Sequence, residues 1–258
     1  MSKSDEHFSS VRKHYDKLAA NGLYATSAPS NKGGRKGQYV SSVFDAALLP
    51  MIEAGNYDCI LDFGCGTGVF TQQLSKHSRE VLGADVSPGM LSQAKSVCFG
   101  CKNVHFMQTN GVELELPDSS VDAIIAREVL CYLPDEDLHL LLSEFHRVSK
   151  PEGYLFWLEQ VSEQVHWQRH PKAPHLVKRS PSSVKKFANK HGWALESQVF
   201  VRNPRFPLVY VAWLGLTPKF FIPNLARLEV ALHARFARRP SRWWNELFVM
   251  KKTSQWMR

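Results

Sequence analysis

The sequence predicts an α/β fold built on a buried parallel sheet, and three observations carry that reading. Residues 59–62, Cys-Ile-Leu-Asp, form a short apolar run ending in an acid, followed by Gly64, Gly66 and Gly68. A second run, Glu80 to Asp85, again ends in a carboxylate, 21 positions after Gly64. Runs of this kind then alternate with helix-like stretches as far as Val201. Short apolar runs bounded by turn residues suit strands buried on both faces, and their alternation with helices suits parallel strands joined by crossovers.

In chain order, Phe8, Val11, Tyr15 and Leu18 fall on one face of a helix over 8–18. Tyr24 to Gln38 reads as a basic, glycine-rich loop, and Gln38 to Ala54 as the helix before the first strand. Gly64, Gly66 and Gly68 stand between that strand and a helix containing Gln72, Gln73, Leu74 and Ser75. Glycines there let the backbone turn tightly and lie against a ligand, for which a nucleotide is the obvious candidate. The spacing departs from the dinucleotide fingerprint Gly-x-Gly-x-x-Gly, because the third glycine comes one residue early. Asp62 would repel a pyrophosphate but can accept hydrogen bonds from an ammonium group. Asp85, at the end of the second strand, is placed to accept both hydroxyls of a ribose. Ser87 caps the next helix with Pro88 in its first position.

Val104 to Gln108 reads as a third strand and Val121 to Ala126 as a fourth. Leu138, Leu141, Leu142, Phe145 and Val148 mark a helix, and Tyr154 to Leu158 a fifth strand. Ser180-Pro181 opens a helix that Gly192 stops. Ala194 to Val201 is the sixth strand, and Glu246 to Lys251 fits a last one.

The wording around these elements resembles the class I S-adenosylmethionine (SAM)-dependent methyltransferases. Asp62-x-Gly64-x-Gly66-x-Gly68 matches their first motif, and Asp85-Val-Ser-Pro-Gly-Met90-Leu resembles their second strand and helix start. Val121 to Ala126 with Leu133-Pro134-Asp135, and Lys150-Pro151-Glu152-Gly153, resemble two further segments. The resemblance implies a Rossmann-like seven-stranded sheet with helices on both faces and an antiparallel last strand. It implies SAM contacts from Asp62, Gly64, Cys65, Gly66, Gly68, Asp85, Val86, Met90, Asn110, Gly111 and Arg127, with Val86 and Met90 on the adenine. Two letters depart from the family pattern: Asn110 stands where an acid usually meets the adenine amine, and Glu152 where a glycine is usual. An amide oxygen can still accept from that amine. Lys32 or Arg35 of the basic loop is a candidate for the SAM carboxylate.

The organisation expected is an N-terminal lid and helical region at 1–54, a SAM-binding core at 55–202, and a basic, aromatic-rich helical insertion with the final strand at 203–258. The chain of 258 residues carries 32 basic against 24 acidic side chains. Residues 200–258 hold 11 of the basic ones against only Glu229 and Glu246, so the basicity belongs to this part and not to the core. Leu225, Leu228, Leu232 and Phe236, with Arg227, Arg235, Arg238 and Arg239, form an amphipathic pattern. It suits a helix on the sheet, a lid for an amphipathic or anionic substrate, or a face resting on anionic lipid.

The longest apolar stretch, around Leu208 to Leu216, is too short to span a bilayer, and no apolar N-terminal region suggests a signal peptide. With five cysteines, this predicts a cytoplasmic protein with reduced thiols, the basic helix being its one candidate membrane face. Cys98 and Cys101 lack a second pair for a zinc site, so no metal is expected.

For the reaction, the family places acceptor contacts just after the fourth strand. Enzymes of nucleobase or amide nitrogens often carry Asp/Asn-Pro-Pro-Tyr there, whereas this chain has Ala126-Arg127-Glu128-Val129. The pattern is more similar to the branch acting on small molecules, glycans or lipid precursors. Glu128, Tyr132 and His166 are the candidate catalytic residues, His166 sharing its segment with His170 and His175. Three functions stay open: O- or C-methylation of a small, lipid-linked or sugar-like acceptor; RNA or protein methylation through the basic region; and non-catalytic SAM binding. The lack of an RNA-binding motif counts against nucleic acid. Oligomeric state is not legible.

Overall fold

The computed structural model describes residues 3–24, 34–170, 173–236 and 242–254, the side chains of 3–5, 166, 168–170, 173 and 236 excepted. Helices α1 (Lys3–Ala19) and α2 (Arg35–Gly55) precede β1 (Cys59–Phe63). The core then alternates α3 (Val69–Leu74), β2 (Glu80–Asp85), α4 (Pro88–Val97), β3 (Val104–Gln108), β4 (Val121–Arg127), α5 (Asp135–Val148) and β5 (Ser149–Val161). After a hairpin of β6 (His166–His170) and β7 (Ala173–Lys178) come α6 (Pro181–Lys190), β8 (Trp193–Arg202), α7 (Leu208–Trp213), α8 (Ile222–Phe236) and β9 (Trp244–Lys252).

The seven-stranded sheet has the order β3-β2-β1-β4-β5-β9-β8. Pairs among the first five strands are parallel, and β9 runs antiparallel to both β5 and β8. The expected sheet, with its antiparallel last strand, is therefore present. Residues 244–250 of β9 are all buried, as a strand with neighbours on both edges and cover on both faces requires.

Alternation along the strands builds a core on each face. Leu61, Phe63, Ile124, Ala126, Leu155 and Trp157 turn towards Leu138, Leu142 and Phe145 of α5. Ile60, Ala123, Ile125, Phe156 and Leu158 turn the other way, towards Tyr39, Val43 and Leu48 of α2 and Ile222 and Leu225 of α8. Helix α5 carries Asp135, Glu136 and Asp137 in its first turn and His146 and Arg147 in its last, matching the helix dipole.

Two details differ from the sequence reading. Strand β5 is longer than Tyr154 to Leu158, because an irregularity lets Val121 pair with Ser149 while Ala123 pairs with Tyr154. Within it, Glu152 has φ 63°, the left-handed backbone that a glycine adopts without strain, which accounts for the family's glycine at that position. On α8 the buried stripe is Ile222, Leu225, Ala226, Glu229 and His233, whereas Leu228 is 49% exposed. Leu228 lies about 100° round the helix from the stripe, and the burial of Glu229 was hidden by its charge. The side chain of Phe236, and Arg238 and Arg239, lie outside the described residues. Among the described residues no helix is long and apolar enough to cross a membrane.

Candidate functional site

Strand order reverses between β1 and β4, the position where open α/β sheets bind ligands beyond their carboxyl ends. A cavity of about 850 Å³ lies there, walled by the turn after β1, the ends of β2 and β4, and Phe8, Val11, Tyr15 and Leu18 of α1. Its lining changes character along its length.

One part is built on the glycine turn. Gly64, Cys65, Gly66, Thr67, Val69 and Phe70 line it, with Asp85, Val86, Thr109 and Gly111. Gly66 has φ 54°, and no atom lies within 4 Å of where a Cβ would sit. Gly68 has a different task, since a Cβ there would stand 2.8 Å from the Cα of Ala94 and force α3 and α4 apart. Asp85 is nearly buried; its Oδ2 accepts the Gly66 N–H at 2.9 Å and its Oδ1 the Ser87 N–H at 2.9 Å. Burial pushes its pKa up, against the pull of these hydrogen bonds. The carboxylate thus ties the end of β2 to the turn while facing the cavity.

The other expected cofactor residues divide. Arg127 lines the cavity, its guanidinium 4.3 Å from the Phe70 ring centroid and donating to Asp45 Oδ1 at 2.7 Å. Asp62 lies behind the lining, 3% exposed, with its Oδ2 accepting the Thr71 hydroxyl at 2.6 Å. Burial pushes its pKa up to about 6. It anchors α3 to β1, a role that the turn's spacing alone did not indicate.

Met90 departs from its expected adenine contact, since it is fully buried on the inner face of α4 with Leu91 and Ala94. Asn110 departs as well. Its Oδ1 already accepts the N–H groups of Val112 and Glu113 at 3.0 and 2.9 Å, closing its own turn, while Thr109 and Gly111 face the cavity. Of the residues expected in the basic loop, Arg35 and Lys36 belong instead to the first turn of α2: Arg35 donates to the Thr217 carbonyl at 2.7 Å and Lys36 reaches the lining, while Lys32 lies outside the described residues.

The other part of the cavity is polar and buried. Glu128 follows β4 with φ 56°, a conformation a non-glycine residue adopts at a cost of about 1 kcal/mol. That turn aims its carboxyl inward, where Oε1 accepts from Asn245 Nδ2 at 2.6 Å and Oε2 from Gln160 Nε2 at 2.9 Å. Burial drives its pKa well above the usual carboxylate range, and the same holds for Glu159 behind it. Tyr132 accepts the Tyr15 hydroxyl proton at 2.7 Å, and the two rings meet edge-on. Burial raises both phenols. Glu128 and Tyr132 therefore share one cavity with the glycine turn. The backbone of His166 pairs with Lys178, but its side chain lies outside the described residues, as does that of His170; His175 is exposed.

Lys178, Arg202, Gln160 and Asn245 also line this part beside Trp243, and none of these four polar residues was singled out from the sequence. No motif marks them, because they come from separate strands. Among the described residues, no group of three or more His, Cys, Asp or Glu is arranged to hold a metal.

A family model described as a methyltransferase domain matches residues 60–153, from β1 into the start of β5. The chain is 33% identical over 132 residues to a probable methyltransferase, ltbC, of Aspergillus luteorubrus, covering 47% of this chain and 46% of that protein. It is 38% identical over 96 residues to the demethylmenaquinone methyltransferase of Tropheryma whipplei, covering 37% and 39%. The match thus spans less than half the length of these curated relatives. Among solved structures, phosphoethanolamine N-methyltransferase 1 of Haemonchus contortus, in complex with phosphoethanolamine and S-adenosylhomocysteine, superposes with a TM-score of 0.69 at 16% identity, covering 98% of this chain and 50% of that one. At that identity the likeness is one of fold. Residues 60–153 thus carry a methyltransferase domain, set in the sheet order of the SAM-dependent methyltransferase fold with its glycine turn and Asp85 at the switch point.

Proposed function

We propose that this chain transfers a methyl group from SAM to a small-molecule acceptor, lipid-linked or sugar-like, by O- or C-methylation. The observation that carries the reading is one cavity in which the glycine turn with Asp85 and a buried carboxyl–phenol cluster face the same space. The open side of Gly66 and the Asp85 carboxylate fit the cofactor's ribose and chain, and Val86, Thr109 and Gly111 fit its base. When bound, SAM supplies an electrophilic methyl group on its sulfonium, so the protein's part is to position the acceptor and exclude water.

Glu128 is the group suited to take a proton from an acceptor hydroxyl or acidic carbon. Its raised pKa makes it a stronger base than an exposed carboxylate, and Gln160 and Asn245 fix its orientation. Tyr132, whose oxygen already accepts from Tyr15, keeps its own proton to donate to an acceptor oxygen. Helix α1 closes that side of the cavity with Phe8, Val11 and Leu18, limiting water. The test is transfer of labelled methyl from SAM into a cell extract split into lipid, small-molecule, RNA and protein fractions, with Asp85→Ala as the blank. Label in the lipid or small-molecule fraction supports the reading. Label in RNA or protein moves it to the macromolecular alternative, and no label despite SAM binding moves it to a non-catalytic one.

Peripheral contact with an anionic membrane is part of the same reading, carried by a separate observation. Leu214, Leu216 and Phe220 are 65%, 72% and 82% exposed, with Tyr210, Phe221 and Leu228 beside them in sequence. Lys219, Arg227 and Arg235 are exposed along the same segment, and its one acid, Glu229, is fully buried. An apolar surface with exposed charge of positive sign suits a lipid face that delivers its acceptor to the cavity.

A further inference from the structure

The acceptor part of the cavity holds two buried cations that, among the described residues, no carboxylate pairs directly. Lys178, at the end of β7, is 4% exposed, and Arg202, at the end of β8, is 5% exposed. Both line the cavity beside Glu128. The Lys178 ammonium stands 4.1 Å from the centroid of the Trp243 ring and, among the described residues, makes no hydrogen bond and no ion pair. Arg202 makes one long hydrogen bond, 3.5 Å from Nη1 to Asn245 Oδ1, and its buried Nε has no partner.

The acids that face these cations do not neutralise them. Glu128 gives its two oxygens to Gln160 and Asn245, and Glu229 gives one to Tyr39. Among the described residues neither carboxyl forms an ion pair with Lys178 or Arg202. A buried charge is ordinarily paired at close range, and two of them on a cavity wall without a direct ion pair leave room for an anionic ligand. A purely structural pair would be turned into the protein and matched there, as Arg179 is by the Leu130 and Leu133 carbonyls and Asp135. Trp243, Pro174 and Leu176 add an apolar wall next to Lys178.

We propose that Lys178 and Arg202 form an anion subsite that holds a carboxylate or phosphate group of the methyl acceptor against the Trp243 side of the cavity. The subsite selects acceptors bearing such a group over neutral ones of the same shape. This rests on the methyl-transfer reading, since it assigns the anion to the acceptor and not to the cofactor. Two donors on separate strands set apart an acid group with oxygens on both sides, and a guanidinium adds a paired geometry that an ammonium lacks.

Calorimetric titration of the S-adenosylhomocysteine-loaded protein tests it, with benzoate and phenyl phosphate as anionic probes and benzamide as the neutral match. Expected is binding of at least one anion about ten-fold or more tighter than benzamide, lost to a similar degree in Lys178→Met. Which anion binds better tells carboxylate from phosphate. S-adenosylhomocysteine affinity should stay within about two-fold in Lys178→Met, which separates the subsite from the cofactor's own carboxylate. Arg202→Met should weaken the better-bound anion about ten-fold as well, and Arg202→Lys, which keeps the charge but loses the paired donor geometry, stands in should that variant fail to fold; wild-type anion affinity in the Arg202 variant overturns the proposal. Equal binding of benzoate, phenyl phosphate and benzamide, or anion binding unchanged in Lys178→Met, overturns the proposal. If the wild-type protein does not bind S-adenosylhomocysteine, the methyl-transfer reading fails, and the same titrations on the protein alone decide the subsite by themselves.

Discussion

Asn245, in the strand nearest the chain's end, donates its side-chain amide to Glu128 Oε1 at 2.6 Å across 117 positions of sequence. This bond joins the antiparallel β9 to the turn after β4. Two buried polar side chains at the carboxyl end of the sheet thereby satisfy each other, and Gln160, paired with Asn245 in the ladder, satisfies the second carboxyl oxygen. The insertion of β9 between β5 and β8 is thus what brings an orienting amide to the candidate base.

Replacing Glu128 by Gln keeps the shape and removes the base. Expected is a fall in kcat of about 10²-fold or more with S-adenosylhomocysteine affinity unchanged, read by steady-state kinetics and calorimetry. The wild-type rate should climb with pH through a limb lying above the ordinary carboxylate range, because burial raises the pKa and the base acts deprotonated. Glu128→Gln should abolish that limb, and a limb that persists assigns it to another group.

Asp85→Ala deletes both the expected ribose contact and the tie to Gly66. Expected is loss of most SAM affinity, by about 10²-fold for two charge-assisted hydrogen bonds. Wild-type affinity in this variant, measured by calorimetry, would show that the cofactor lies elsewhere.

Two glycines of one turn should respond differently to alanine. Gly68→Ala must press a methyl onto Ala94 at a φ of 77°, so its cost falls on stability, about 1–3 kcal/mol and visible as a lower Tm. Gly66→Ala has open space around the new methyl, so beyond backbone strain its cost falls on cofactor binding. Equal Tm losses with equal affinity losses would contradict this division.

Glu229 is fully buried, and burial pushes its pKa from 4.5 up to about 7. The folded state therefore binds its proton more tightly than the unfolded chain. The resulting stability is fully present below pH 4.5 and is lost as pH rises towards 7. Glu229→Gln, which still accepts from Tyr39, should flatten the fall of Tm across that window; an unchanged slope would place the titrating group elsewhere.

The exposed face of the 210–228 segment gives a test by vesicle flotation. Lys219→Glu with Arg227→Glu should weaken binding to phosphatidylserine-containing vesicles roughly ten-fold or more, and Phe220→Ser should weaken it further. Binding that matches neutral phosphatidylcholine vesicles in the wild type would remove the membrane from the function.

The glycine turn, Asp85 and the strand–helix order were legible because local backbone geometry dictates those letters. The turn at Lys150-Pro151-Glu152-Gly153 was legible despite its missing glycine, because Glu152 takes up the left-handed backbone in the glycine's place. The β6–β7 hairpin was not legible: it pairs a polar, histidine-rich strand with Ala173–Lys178, and neither carries a clean apolar alternation. The acceptor residues failed for a different reason. Gln160, Lys178, Arg202 and Asn245 meet only through sheet topology, and each looks like an ordinary surface polar residue in one dimension. Met90 and Asn110 were assigned by family position, which carries backbone location well but not where a side chain points.

Release of S-adenosylhomocysteine from SAM, measured with the lipid and small-molecule fractions of an extract, probes the central claim most directly. Wild type, Asp85→Ala and Glu128→Gln would be compared side by side. Expected is release by the wild type that scales with added fraction, none from Asp85→Ala, and release slowed about 10²-fold from Glu128→Gln. Fraction-independent or absent release by a wild-type protein that binds SAM, or equal rates for wild type and Glu128→Gln, would contradict methyl transfer to such an acceptor through this cavity.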